Sequence, residues 1–501
     1  MSITNIRYIV GNLLKPGENL YHRVVVSGFW VFALRSTQVL FNFIRLVVLA
    51  RLLSPYDFGL MGIALLTMLV LDTFSQTGFQ KALIQKNEDI SGYLDSAWTV
   101  SILRGFSLFM LLFLGAPYVG MFFNTPEAVL VVRVIGTSLL FKSLTNIGIV
   151  YFQKELEFDK RFVYEFLGTL IDFTVSILSA LVLRNVWALV FGLLAGEVTR
   201  CFTSYIIHPY RPRLSFELNK VAELWRFGRW ITGSGILVFL ITQGDDIFVG
   251  KFLGATALGF YQMAYRISNM PATEITHVLS QITFPAYAKL QSNLSNLKKA
   301  YLEVLQTTSV FSFPIAGLIF AMSPDFVVVF LGEKWVSIVH PMQVLVLWGL
   351  IRSVGATTGP LFQATGFPQV GVKLQFAILV LLALLIYPLT MRLGILGTSL
   401  AVLLSALVIN PVAIYKSAKI IHAGIWEVLR LILFPLFATV FMCVSLFTLK
   451  SFALFSVGIV SFTVYLFAGI ALYICVIVVI KSLFNYDLLN LLRQCLTELG
   501  K

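Results

Sequence analysis

Eight basic side chains, Arg35, Arg45, Arg104, Arg133, Lys142, Arg200, Arg266 and Arg352, interrupt stretches that are otherwise long and apolar. Asp72, Asp172, Glu197, Asp245, Asp246 and Glu274 do the same, with Glu165 at the edge of another stretch. A charge at the centre of a membrane helix costs about 2.5–3.5 kcal/mol on the insertion scale, so such groups face a partner, a wet cavity or a pathway. Guanidinium forks bind phosphate oxygens bidentately. A small excess of buried cations therefore suits an anionic phosphate head group.

Arg35, Arg45, Arg104, Lys142, Arg266 and Arg352 are on that ground the candidate substrate-binding residues. Depth sorts them: Arg35 falls near the middle of the first apolar stretch and Lys142 near the middle of the fourth. Arg133 and Lys142 are nine residues apart, about half a turn out of phase on a helix of 3.6 residues per turn, and Lys142 is preferred. Asp72, Asp172, Asp245 and Asp246 are candidates for ion coupling or gating, with Na+ or H+ as the coupling ion. Repulsion between neighbouring carboxylates singles out Asp245 and Asp246. The competing reading makes all these groups countercharges in interhelical salt bridges, or side chains reaching to the interface. It weighs more for Arg133, Arg200 and Glu197.

The elements that must hold these charges are membrane helices. Hydrophobic residues make up 58% of the 501, charged ones 12%, and mean hydropathy is +0.88. Soluble chains carry about 25% charged residues. The apolar runs are continuous rather than alternating, which favours helices over a barrel. About fourteen spans are expected, near 24–50, 57–79, 96–119, 126–150, 162–183, 186–208, 228–252, 257–284, 303–322, 336–360, 371–390, 394–416, 426–448 and 453–480. The first is too long for a cleaved signal segment. The tail 482–501 has the spacing of an amphipathic surface helix.

A net charge of +13 does not form a nucleic-acid stripe. Of 37 basic residues, 23 fall on one set of alternating loops and six on the other. The positive-inside rule then puts both termini in the cytoplasm. The four cysteines, Cys201, Cys443, Cys475 and Cys495, have no metal-ligand or disulfide-framework spacing. No metal or other cofactor is expected.

An internal repeat organises the chain. Residues 49–64 align with 249–264, with Leu53/Leu253, Gly59/Gly259 and Ala64/Ala264 identical and Arg51/Lys251 alike in charge. Both stretches join the first and second helices of a six-helix unit, so the units are parallel repeats. The expected division is an N-lobe over 1–208, a cytoplasmic linker over 209–227, a C-lobe over 228–420, and two accessory helices with a tail over 421–501. Arg45 and Asp245 occupy equivalent repeat positions, and one arrangement pairs them across the outer mouth as a gate.

Neither a GxxxxGK[ST] loop nor an HExxH or GxSxG motif occurs, which argues against nucleotide-driven transport and against an enzyme. A membrane oligosaccharide polymerase or ligase is the enzymatic rival, and needs a sizeable external loop. The largest outside connection, 323–335, is short and largely apolar. A multidrug exporter or a peptidoglycan-precursor flippase shares the architecture, and a structural scaffold leaves the buried charges and the repeat unexplained.

LARLLSPYDFGLMGIA at 49–64, FSQTGFQKALIQK at 74–86, VYFQKELEFDKRF at 150–162 and GDDIFVGKFLGATALGFYQMAYRI at 244–267 carry a resemblance. The chain resembles the Wzx-like polysaccharide transporter branch of the multidrug/oligosaccharidyl-lipid/polysaccharide exporter superfamily, whose members flip repeat units of surface polysaccharides. The resemblance implies two six-helix lobes rocking between inward- and outward-facing states in the bacterial inner membrane. It implies an undecaprenyl-pyrophosphate-linked, anionic oligosaccharide as cargo, and a cationic central cavity. Other polysaccharide-assembly membrane proteins are expected partners besides the bilayer, and nucleic acid is not.

Overall fold

We describe a computed structural model, covering residues 20–85, 90–452 and 458–484. The stretch 1–19 and the expected surface helix beyond residue 484 lie outside the described residues. All regular structure among the described residues is helical. Contacts group the chain into two compact units, Met1–Gly259 and Phe260–Lys501.

The first unit contains α1 (Leu20–Leu52), α2 (Pro55–Phe74), α3 (Ser91–Phe122), α4 (Ala128–Leu144), α5 (Phe158–Leu183) and α6 (Trp187–Ile207). It also takes the opening part of α7 (Leu218–Leu290), a 73-residue helix whose backbone breaks at Gly254. The second unit takes the rest of α7, then α8 (Leu294–Phe326), α9 (Val339–Gly355), α10 (Pro368–Leu393), α11 (Ile395–Ile420), α12 (Ile425–Phe452) and α13 (Ile459–Phe484). Among the described residues eleven helical spans are long and apolar enough to cross a membrane, and α4 with the segment Ile147–Lys154 forms a twelfth, bent by 71°. The two arms of α7, 218–253 and 255–290, cover the seventh and eighth expected spans. The chain is a polytopic all-α membrane protein.

Local chemistry sets the breaks. Between α1 and α2, Ser54 and Asp57 form a reciprocal cap: Asp57 N–H donates to Ser54 Oγ at 3.2 Å and Ser54 N–H to Asp57 Oδ2 at 2.9 Å. Pro55 sits in the first turn, where a missing N–H costs nothing. Two hundred residues on, the same turn is made by Gly254, with φ 84° and ψ 177°, a conformation reserved to glycine. One repeat turns with a cap and the other with a glycine.

Helix pairing in the first unit relies on aromatic contacts and on missing side chains. Trp30 packs on Phe162 and Phe41 on Phe173, which lays α1 along α5. Gly192 and Gly196 of α6 leave no room for a Cβ beside α5, the small-xxx-small pattern that lets membrane helices approach closely. In the second unit, buried Tyr301, Leu305, Met442, Leu446, Tyr473 and Ile477 join α8, α12 and α13. Lys450 near the end of α12 forms an ion pair with Asp325 of α8 and donates to Ala321 O at 2.8 Å.

The connection after α6 is a strap rather than a free linker over its first half. Tyr210 Oη donates to Asp95 Oδ1 at 2.7 Å, as does Arg213 N–H, also at 2.7 Å. Ser215 N–H reaches Thr99 Oγ1 at 3.0 Å. Asp95 and Thr99 stand in the first turns of α3, so the strap is tied across the start of that helix.

Candidate functional site

Two groups of partly exposed charges line one cavity within the first unit. In the last turn of α2, Asp72 accepts from the Arg104 guanidinium of α3 and, at 3.0 Å, from the Lys142 ammonium of α4. Arg104 also donates from Nε to Ser75 O at 2.8 Å and from Nη2 to Asp72 O at 2.8 Å. These carbonyls close α2, where the helix leaves acceptors unpaired. Arg104 is therefore committed to holding α2 against α3. Lys142, 60% exposed, is committed only to Asp72. Two cations share one carboxylate, leaving this corner one positive charge.

The second group joins α5 and α6. The Arg200 side chain lies across Gly168, where a Cβ would collide with it. Its guanidinium reaches Glu197 at 2.8 Å and Glu165 at 3.5 Å. One cation here shares two carboxylates.

A cavity of about 620 Å³ spans both corners and is also lined by Gln76, Trp98, Ser101, Asn146 and Tyr164. Asn146 fixes its floor. The fully buried amide accepts from Gly148 N–H at 2.9 Å and donates to Tyr210 O at 2.6 Å, while its backbone N–H donates to Ser204 Oγ at 2.9 Å. One residue thus ends α4, seats α6 and receives the strap. The lining holds three cations and three carboxylates, so the expected cationic excess does not gather here. Each charge in an apolar bundle recruits a countercharge, because an unpaired one is far more costly. What remains is a separation of charge, positive at Asp72 and negative at Arg200.

A third pair lies in the same unit. Arg45 Nη1 bonds Asp172 Oδ2, and Ser176 Oγ donates to Asp172 Oδ1 at 3.1 Å. The structure thus corrects the arrangement in which Arg45 gates the mouth with Asp245. The aromatic contacts between α1 and α5 bring residue 45 level with residue 172, and the nearer carboxylate takes the guanidinium. Asp245 and Asp246 are buried, with Asp246 N–H on Asp245 Oδ1 at 3.1 Å, and both have other partners.

Of the remaining candidates, Arg35 lies in the middle of α1 and Arg266 in the second arm of α7, and both make contacts within the protein. Arg352, in the last turn of α9, rests 5.4 Å from the centre of the Trp348 ring. Arg133 donates to Phe113 O at 3.1 Å and lies over that ring, away from the cavity lining. Lys142 is not mid-helix as expected. Helix α4 stops at Leu144 because Asn146 caps the following turn, so Lys142 stands in its last turn, at the cavity. Sequence reasoning set Arg200 and Glu197 aside as structural and passed over Asn146 and Trp98. The spacing of three between Glu197 and Arg200 was the one available signal, and it reads equally well as a surface pair.

The fold is that of a multi-helix membrane protein with a polar cavity inside its first unit, and comparison with known proteins places it further. A profile of the polysaccharide biosynthesis protein family matches residues 48–340, and the chain belongs to that family. It is 28% identical over 332 residues to the lipopolysaccharide biosynthesis protein WzxC of Escherichia coli (strain K12), covering 66% of this chain and 68% of that protein. It is 23% identical over 344 residues to the succinoglycan biosynthesis transport protein ExoT of Rhizobium meliloti (strain 1021), covering 64% and 69%. The solved structure of the lipid II flippase MurJ in its inward closed conformation superposes with a TM-score of 0.74 at 14% identity, over 91% of this chain and 99% of that one. This likeness is one of fold.

Proposed function

We propose that the protein is a flippase that moves undecaprenyl-pyrophosphate-linked oligosaccharide repeat units from the cytoplasmic to the outer leaflet of the bacterial inner membrane. The observation that carries the reading is a roomy cavity with separated charge inside a bundle of apolar helices. Such a cavity lets a polar glycan leave water without entering hydrocarbon, where each unsatisfied polar group costs several kcal/mol. Family membership and the biosynthetic names of WzxC and ExoT support the choice of cargo.

In this reading the Asp72 corner, with its surplus cation, takes phosphate oxygens, and Lys142 is the mobile donor. The amide of Gln76 and the rings of Trp98 and Tyr164 offer the mixed polar and flat apolar contacts that sugars use. The protein carries and does not react: it is a transporter rather than an enzyme. Transport proceeds by alternating access between two lobes, with both termini cytoplasmic. Na+ or H+ is the proposed coupling ion, with Asp172 and the Asp245–Asp246 pair as the groups to examine.

The test is reconstitution. Liposomes holding the purified protein and a fluorescent polyprenyl-diphosphate-linked saccharide should expose the inner-leaflet label to an external quencher. Labels that stay protected, as in empty liposomes, would reject the proposal.

A further inference from the structure

A second cavity adjoins the polar one along the seam between α2 and α3. It has a volume of about 450 Å³ and is lined by Val70, Leu111, Gly115, Tyr118, Phe122 and Ile247, among others. Its lining is apolar, and the Thr67 hydroxyl on its wall is already spent on Ile63 O at 2.8 Å. Gly115 hollows it: a Cβ there would meet nothing within 4 Å.

The two cavities are neighbours along both helices. Leu71 lines the apolar one and Asp72, the next residue, the polar one. On α3, Leu108 lines the polar cavity and Leu112, one turn further on, the apolar one. The joint lies beside Arg104 and Lys142, where two cations share one carboxylate. From Arg104 to Phe122 is 18 residues of helix, about 27 Å at 1.5 Å per residue. The seam therefore offers a cationic site followed by a long apolar channel.

We propose that this channel holds the first isoprene units of the polyprenyl chain of a lipid diphosphate whose phosphates sit at Lys142, beside Arg104. The inference rests on the flippase reading and adds where the tail goes. A phospholipid, with two tails and a bulky head, does not match a single apolar channel beside a sugar-sized polar cavity. A single prenyl chain does.

The experiment measures binding of undecaprenyl diphosphate and of geranyl diphosphate to the purified full-length protein in detergent micelles. Wild type is compared with Gly115→Trp, which sends an indole into the channel from a position where a Cβ meets nothing within 4 Å. Gly115→Phe serves as a smaller plug, and both are accepted only with an unchanged melting temperature. The expected result is that undecaprenyl diphosphate binds at least about tenfold more weakly to the plugged variants. Geranyl diphosphate, whose two isoprene units end short of Gly115, should bind as before. Unchanged binding of both would overturn the inference, leaving the channel to ordinary bilayer lipid. Equal weakening of both would also overturn it, since the plug would then act on the head-group site. A wild-type protein that binds neither lipid would instead reject the flippase reading itself.

Discussion

Gly59 and Gly259, equivalent residues of the internal repeat, meet backbone to backbone. A Cβ on Gly59 would strike the Ala255 carbonyl, and one on Gly259 would strike the carbonyl of Pro55. Residues 55 and 255 are themselves equivalent under the same offset of 200. The crossing is reciprocal, as a local two-fold axis requires. Substituting alanine at either glycine should force the helices apart and lower stability by about 1–3 kcal/mol, the usual cost of overpacking. The double variant should cost less than the sum, because the first methyl already opens the crossing. Denaturation of the purified variants in one detergent checks this, and strict additivity would count against a shared contact.

Arg104 and Lys142 share Asp72 but should behave differently when removed. Arg104→Ala strips donors from two backbone carbonyls and a carboxylate, and should reduce stability and yield. Lys142→Ala should leave stability within about 0.5 kcal/mol. Loss of a charged hydrogen bond to cargo, worth about 1.5–3 kcal/mol, should slow flipping by about tenfold or more. Melting curves and the liposome assay separate the two roles. Normal flipping by Lys142→Ala at equal protein levels would remove it from the site.

Arg45 and Asp172 should be exchangeable. Either single alanine variant leaves a charge in an apolar bundle and should cost up to about 3 kcal/mol. The swap Arg45→Asp with Asp172→Arg should recover most of that loss. If the swapped protein is no more stable than the single variants, the pair is not what holds α1 to α5.

His208 should make stability depend on pH. Burial holds its imidazole below the ordinary histidine range, with Lys160 and Arg211 pushing the same way and Glu157 opposing. The ring stacks on Tyr151, lies near Phe152, and accepts from Tyr210 N–H at 3.1 Å. The folded state therefore favours the neutral form. That contribution is complete above the unfolded value of about 6.5 and is lost as pH falls through it toward the lower folded value. Melting temperatures between about pH 8 and about pH 5.5 should drop less for His208→Gln than for wild type. Parallel curves would show that another group titrates.

Asp95 should hold the strap. Asp95→Ala removes the acceptor for both Tyr210 Oη and Arg213 N–H. Burial and the Asp95 carboxylate both raise the Tyr210 phenol above its ordinary value, so it stays a donor in any tolerable buffer. Trypsin should cut after Arg213 markedly faster in the variant than in wild type; Pro212 protects the bond after Arg211. If the two proteins are cut at the same rate, the strap is secured elsewhere.

The charges that matter could be found from sequence, but their partners could not. An arginine inside an apolar run is conspicuous, which is why Arg45, Arg104, Lys142, Asp72 and Asp172 all stood out. Which carboxylate each one meets depends on helix packing, and that is set by apolar contacts such as Phe41 on Phe173. Asn146 shows the other limit. An asparagine near a span end looks like any loop residue, and two of its three bonds come from Ser204 of α6 and Tyr210 of the strap, 58 and 64 residues away in sequence.

Hydropathy and the 200-residue echo by themselves determined that this chain is a bundle of membrane helices built as a repeat. Continuous apolar runs admit no other structure in lipid, since every backbone group must be satisfied within its own helix. The tertiary structure alone decided that the charges within the apolar helices pair with one another, that charge is separated across one polar cavity, and that an apolar cavity lies beside it between α2 and α3. Those outcomes depend on side chains distant in sequence coming within a few ångströms, where pairwise electrostatics and packing choose the partners.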